Sequence, residues 1–264
     1  MSKKANIISF SLYGNDERYT KPLLSNAHSI AKYYPAWTIY VYHDRTVEAS
    51  YVEQLKCLDV VTINVVDIGA SDLPPKLWRF LPTLEDNIEC ILFRDADSLF
   101  SLREVELVSD WMKSNSLIHI IRDHPLHIAP IMAGMLGVKE EAFAYLAKLL
   151  HKPDLYQLSR SHDYDQILLA DHLYPAVYKN AMIHTSFFKF SGENIIKIKP
   201  AIDGYIGEVV EESLLDKQKN KKIIESSKFI YGVPYYIARL FRYRVRPVLY
   251  TSYLYNFIVT FFSK

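Results

Sequence analysis

The chain has 264 residues, of which 50% are hydrophobic and 23% charged, with a formal net charge of +1. That length buries a full core in one or two compact domains, and the near-neutral charge excludes a broad nucleic-acid-binding surface. Two cysteines, Cys57 and Cys90, exclude a disulfide framework and a zinc site, and no apolar stretch is long enough to span a bilayer.

Asn6–Tyr13 reads as a buried first strand, stopped by Gly14-Asn15-Asp16. Leu23, Leu24, Ala27, Ile30 and Ala31 recur at helical spacing within 18–33, and Pro35 ends that helix. Trp37–Tyr42 is a second strand, followed by His43-Asp44. Residues 47–57 predict a helix and Val60–Val66 a strand. Pro74-Pro75 open a loop, and Lys76–Pro82 start another helix. Ile88–Phe93 is an apolar strand that holds Cys90, expected as a buried thiol.

After Leu102–Ser114, a helix with Trp111 on its buried side, comes the strand Leu117–Ile121, broken by Arg122-Asp123-His124-Pro125. Residues 139–150 are helical, Asp163–His172 begins another helix, and Met182–His184 ends a short strand. Residues 186–230 read as polar and loop-rich. Strands alternating with helices predict an α/β fold with a mostly parallel central sheet flanked by helices. One domain is expected over 1–230, and a basic, aromatic, helical appendix over 231–264. That appendix carries +5 through Arg239, Arg242, Arg244, Arg246 and Lys264 and has no acid. Arginines among tyrosines and phenylalanines suit an anionic headgroup layer, so peripheral membrane contact is expected there. The N-terminus leads into a strand and not into a signal-peptide apolar region. The expected location is cytoplasmic, at the inner face of the cell membrane.

The chemistry concentrates at Phe93-Arg94-Asp95-Ala96-Asp97-Ser98. Side chains at i and i+2 share a face in a strand. Asp95 and Asp97 at its C-terminal end would project together into the crevice where open α/β sheets bind ligands. Two close carboxylates repel unless a cation accompanies them, and oxygen ligands suit Mg²⁺ or Mn²⁺, which share their shell with phosphates. A solvated turn after a buried strand is the bland alternative. Arg79 lies upstream, within reach of a phosphate. Gly134 and Gly137 remove side chains where a backbone could approach a ligand. His162-Asp163-Tyr164-Asp165-Gln166 stands at a helix start, where a carboxylate is either an N-cap or a functional group. His184 follows a short strand.

In this order the strand–Asp-x-Asp, Ala133-Gly134-Met135, Asp165-Gln166 and the late His184 resemble the GT-A nucleotide-sugar glycosyltransferases. The likeness is to the glycogenin-like and lipopolysaccharide-galactosyltransferase-like group and to small bacterial and viral polysaccharide transferases, over about residues 6–190. Trp78-Arg79-Phe80-Leu81-Pro82, Phe93–Ser98 and Arg122-Asp123-His124-Pro125 carry the latter. The resemblance implies a GT-A, Rossmann-like fold and transfer of a hexose from a UDP-linked sugar to a surface polysaccharide or lipopolysaccharide (O-antigen) acceptor, with Mn²⁺ or Mg²⁺.

It also implies roles. Asp97 and His184 would be metal ligands, with Asp95 assisting and touching the ribose. Ser9, Phe10 and Tyr13 would hold the nucleotide, with Asp44 at the base. Arg79 would face the donor, Arg94 would add positive charge near the sugar, and Ala133 and Gly134 would line the sugar pocket. Asp165 and Gln166 would sit beside the transferred sugar. Asp165, Asp163 or Asp123 would deprotonate the acceptor hydroxyl. Asp203, Tyr205 and Glu208 would lie on the acceptor side. Two alternatives compete. A haloacid-dehalogenase-type phosphatase also uses Asp-x-Asp after a strand, but near the N-terminus and followed by Thr or Val where Leu99 stands. A sugar nucleotidyltransferase needs a Gly-rich basic first loop, and Ser9–Asp16 has only Gly14. A catalytically inactive, membrane-docked module of the same fold is the non-enzymatic reading.

Overall fold

The computed structural model describes residues 4–152, 155, 159, 163–210 and 213–233. Its centre is an eight-stranded sheet in the order β3-β2-β1-β4-β6-β5-β7-β9. The strands are β1 (Ala5–Leu12), β2 (Trp37–His43), β3 (Val61–Asn64), β4 (Ile88–Arg94), β5 (Ile118–Arg122), β6 (Met135–Lys139), β7 (Met182–Thr185) and β9 (Ile195–Lys197). Both pairings of β6 are antiparallel and the other five are parallel. The expected α/β, mostly parallel sheet flanked by helices is the observed one. A separate pair joins β8 (Phe188–Phe190) to β10 (Ile230–Val233).

Central strands buried on both faces read as continuous apolar runs; Cys90–Phe93 of β4 does so, while Ser9 and Ser11 interrupt β1. Alternation sends Ile7, Ile91, Phe93, Leu136 and Ile183 to one face. There they pack under the 3-10 segment Pro75–Leu84 and α4 (Phe143–Leu150). Ile8, Phe10, Leu92 and Trp111 share the opposite core, with α1 (Glu17–Tyr33) and α3 (Leu102–Met112). The Asp16 carboxylate caps α1 by accepting from the Arg18 N–H at 2.9 Å. Ser101 caps α3 by accepting from the Glu104 N–H. The short α2 (Ala49–Lys56) completes the first half.

Several expectations change. Lys76–Pro82 is not an α-helix but lies in the 3-10 segment, with prolines at both ends of the motif that deny it backbone donors. The helix expected from Asp163 divides into α5 (Tyr164–Leu168), a π turn (Leu169–Leu173) and α6 (Tyr174–Val177). Residues 186–230 are not mainly loop. They contain β8, β9 and α7 (Leu214–Ser226), which Ser213 caps by accepting from the Asp216 N–H. The proposed boundary after residue 230 falls inside β10. Residues 234–264 of the expected appendix lie outside the described residues. Cys90 is buried as expected, and Cys57 is exposed. Among the described residues no helix is long and apolar enough to cross a membrane.

Candidate active site

Strand order reverses between β1 and β4, because the chain winds outward to β2 and β3 on one side and to β6, β5 and β7 on the other. Open α/β sheets bind ligands at that point, beyond the carboxyl ends of the strands. Tyr13 follows β1 there, and Asp95 and Asp97 follow β4. They line a cleft of about 340 Å³ with Arg18, Lys76, Arg79, Asp163, Asp165, Gln166 and Gly207.

Arg79 organises the floor. Its guanidinium Nη1 donates to Asp95 Oδ1 at 2.6 Å, and its Nε donates to the Lys76 carbonyl at 3.2 Å. Its backbone is fastened to β1 from both sides: Ser9 Oγ donates to the Arg79 carbonyl at 2.8 Å, and Ser11 Oγ accepts from the Arg79 N–H at 2.9 Å. Residues i and i+3 eclipse in a 3-10 segment, which puts Lys76 and Arg79 on one side. Burial opposes the charge on Asp95, but Arg79, Lys76 and Arg94 outweigh it and hold that carboxyl below its ordinary range.

Asp97 is the opposite case. Burial and the neighbouring Asp95 charge raise its pKa, and Arg18, whose Nη2 is 3.1 Å from Oδ2, offsets this in part. Asp165, at the start of α5, accepts from the Gln166 N–H at 2.9 Å. Burial and Asp95 raise its pKa against the pull of Arg79 and Lys76. Gly134 lies against this group: a Cβ there would fall 1.9 Å from Asp95 Oδ2.

The loop carrying Asp97 is clamped from two sides. The buried Asn26 side chain on α1 donates to the Ser98 carbonyl and accepts from the Phe100 N–H, each at 2.9 Å. On the other side Val210 N–H donates to the Asp97 carbonyl at 3.0 Å, and Ser98 bridges Val209.

The structure removes several sequence candidates from the cleft. His184 is 1% exposed and shares a 2.8 Å hydrogen bond with His119 through Nδ1. His119 stacks on Trp111, in the core beneath α3. Ile183, one residue earlier, belongs to the face of Phe93, so His184 points to the opposite side and does not join Asp97. Asp123 is fully buried. It accepts from Arg103 Nε and Nη2, each at 2.7 Å, from the Ser186 hydroxyl and from the Ile206 N–H, so it is a structural anchor and not a base. Ser9 is buried under Arg79, Phe10 lies in the core against Phe100, and Ala133 is core as well. Asp44 accepts from the N–H and hydroxyl of Thr46 and shapes the loop after β2. Arg94 alternates away from Asp95 and pairs with Glu104 at 2.6 Å, both buried. Tyr205 lies against His124 with ring centroids 4.5 Å apart and planes tilted by 34°, and Glu208 accepts from Gly204 N–H.

Tyr13, Arg79, Asp95, Asp97, Asp165, Gln166 and Gly134 do come together. Reading the sequence missed Arg18 and Lys76. The i, i+3 spacing of Lys76 and Arg79 was the available signal for the second.

Among the described residues no group of three or more His, Cys, Asp or Glu is arranged to hold a metal unaided. Asp95 and Asp97 nevertheless form an adjacent hard-oxygen pair in which each charge resists the other. That donor set fits Mg²⁺ or Mn²⁺, which bind through one or two carboxylates and complete their shell with phosphate and water.

No family model matches the chain, and no curated protein matches it. Solved structures show similar chain traces at low identity. A glycosyltransferase involved in glycosylation of the major capsid of PBCV-1 is 10% identical, with 84% of this chain and 98% of that chain covered and a TM-score of 0.46. A mannosyltransferase from Pyrobaculum calidifontis, in complex with GDP-Man and Mn²⁺, is 12% identical over 75% of this chain and 56% of that one, with a TM-score of 0.48. A 4-diphosphocytidyl-2C-methyl-D-erythritol synthase from Anaerococcus prevotii is 10% identical over 85% of this chain and 100% of that one, at 0.45.

Proposed function

We propose that the chain is a metal-dependent glycosyltransferase that moves a hexose from a UDP-linked sugar to a polysaccharide or lipopolysaccharide acceptor. One observation carries this reading: four carboxylates (Asp95, Asp97, Asp163, Asp165) and three cations (Arg18, Lys76, Arg79) converge in one cleft at the switch point of the sheet. A diphosphate needs the cations, and a sugar-transfer step needs a carboxylate beside them.

Asp95 and Asp97 would hold the divalent ion, which supplies charge neutralisation for the departing diphosphate. Arg18 and Lys76 face the same phosphates and stabilise the charge that grows on them as the C1–oxygen bond breaks. Arg79 keeps Asp95 ionised and steadies Asp165. A new bond forms between C1 and the acceptor oxygen, and the acceptor's hydroxyl proton passes to an Asp165 carboxylate oxygen. A carboxyl with a raised pKa is suited to that transfer. Tyr13, edge-on to Trp78 at 6.0 Å and 41% exposed, offers the base a ring at the rim.

Purified protein incubated with UDP-hexoses and Mn²⁺ should release UDP, faster with a glycan acceptor. Release should vanish in Asp97→Ala and return slowly or not at all with excess Mn²⁺. Failure to bind any nucleotide sugar in the presence of metal overturns the reading.

A further inference from the structure

Helix α7 has thirteen residues, and Ile224 is its one buried side chain. A solvated helix of that length is marginal in water. Its first turn exposes Leu214 by 76% and Leu215 by 75%, more than any other large apolar side chain among the described residues. Exposed Lys217, Lys219, Lys221 and Lys222 follow. From Ser213 to Lys228 the sequence has five lysines against Asp216 and Glu225, a net charge of +3, and Glu211 and Glu212 precede it.

We propose that α7 docks on the surface of an anionic bilayer, with Leu214 and Leu215 entering the interface and the lysines pairing with headgroup phosphates. Charge decides the occupant. The segment that follows, 231–264, carries +5 and no acid, the same sign of charge as α7. An apolar first turn followed by lysines suits a surface that is negative outside and apolar beneath. The helix is also tied to the cleft. Asn220 Nδ2 donates to the Tyr205 hydroxyl at 3.5 Å, and Tyr205 lies two residues before Gly207, which lines the cleft. Docking through α7 would bring that side of the cleft to the membrane surface. The proposal stands whether or not the transferase reading does.

Flotation of the full chain tests it, with vesicles of phosphatidylcholine mixed with phosphatidylglycerol against phosphatidylcholine alone. The parent should float only with the anionic vesicles, and high salt should release it. Leu214→Ser/Leu215→Ser should lower the partition coefficient by about a hundredfold or more, and neutralising one lysine should lower it about fivefold. A parent chain that ignores anionic vesicles overturns the proposal; an acidic protein partner would give that result. So does a double-serine variant, folded by circular dichroism, that floats like the parent. A second readout separates α7 from the C-terminal segment. With exposed Cys57 changed to Ser, an environment-sensitive dye on Leu214→Cys should shift to the blue on anionic vesicles. An unmoved emission maximum overturns the proposal.

Discussion

Gly134 and Asp95 occupy space that only one of them can fill: a methyl group on Gly134 would lie 1.9 Å from the Asp95 carboxylate and 3.0 Å from its backbone nitrogen. The glycine therefore sets the side-chain position in which Asp95 meets Arg79. Gly134→Ala should push the carboxylate off the guanidinium. Nucleotide-sugar turnover should fall about a hundredfold, as removal of a preorganised charge does. Overpacking should lower stability by about 1–3 kcal/mol. Steady-state kinetics beside a urea melt would separate the two effects, and an Ala variant with parental kinetics would refute the assignment.

Asp165 bears a conflict between stability and use. Its pKa in the folded protein is raised, so the folded state holds the proton more tightly than the unfolded chain. The ionised carboxylate thus costs stability above the folded pKa, and that cost fades as pH falls through the titration range. Asp165→Asn should raise the melting temperature near neutral pH, with a gain that shrinks in acid. Turnover should drop by about two to four orders of magnitude. Calorimetry at two pH values, with the same samples assayed for UDP release, checks both signs.

Four buried imidazoles predict the acid limb of stability. Burial lowers the pKa of His119 and His184, helped at His119 by His184, and takes His124 and His127 down to about 3. In the unfolded chain they bind protons near pH 6.5. As pH drops below that value the unfolded state takes up protons that the folded state refuses, so stability falls. Each histidine contributes up to about 1.4 kcal/mol per pH unit. Urea midpoints between neutral pH and pH 5 should trace that slope, and His124→Gln/His127→Gln should flatten it.

The Arg94–Glu104 pair is a buried ionic contact beneath the cleft. Glu104 also accepts from the Tyr34 hydroxyl at 2.9 Å, while Arg94 Nη2 has no hydrogen-bond partner among the described residues. Arg94→Met alone leaves Glu104 buried and unpaired and should cost about 3–5 kcal/mol. Combining it with Glu104→Leu and Tyr34→Phe should return stability to within about 1–2 kcal/mol of the parent. Equal losses in the single and triple variants would contradict this account of the pair.

The sheet was legible in the sequence because β1, β2 and β4 are rich in the apolar and β-branched residues that both faces of a parallel sheet require. The Asp95–Asp97 pair was legible because two-residue spacing at a strand end fixes a shared direction. His184, Arg94 and Asp123 were misread for the same reason in each case. Local sequence says that a polar residue ends a strand, but neighbouring strands decide which face it enters and who meets it there. His119, Glu104 and Arg103 are 65, 10 and 20 residues away from these three. Helix α7 was hidden by its composition: with one buried residue it has no apolar stripe to announce it.

The single reversed strand has a structural corollary. Because β6 runs against β4, with Met135 opposite Arg94, it starts at the rim where its neighbours finish. Gly134 is delivered there by the incoming connection from β5. Residues 123–134 are nearly all buried, so this connection is part of the core and not a free surface loop, and a change in its length would shift Gly134 against the Asp95 carboxylate.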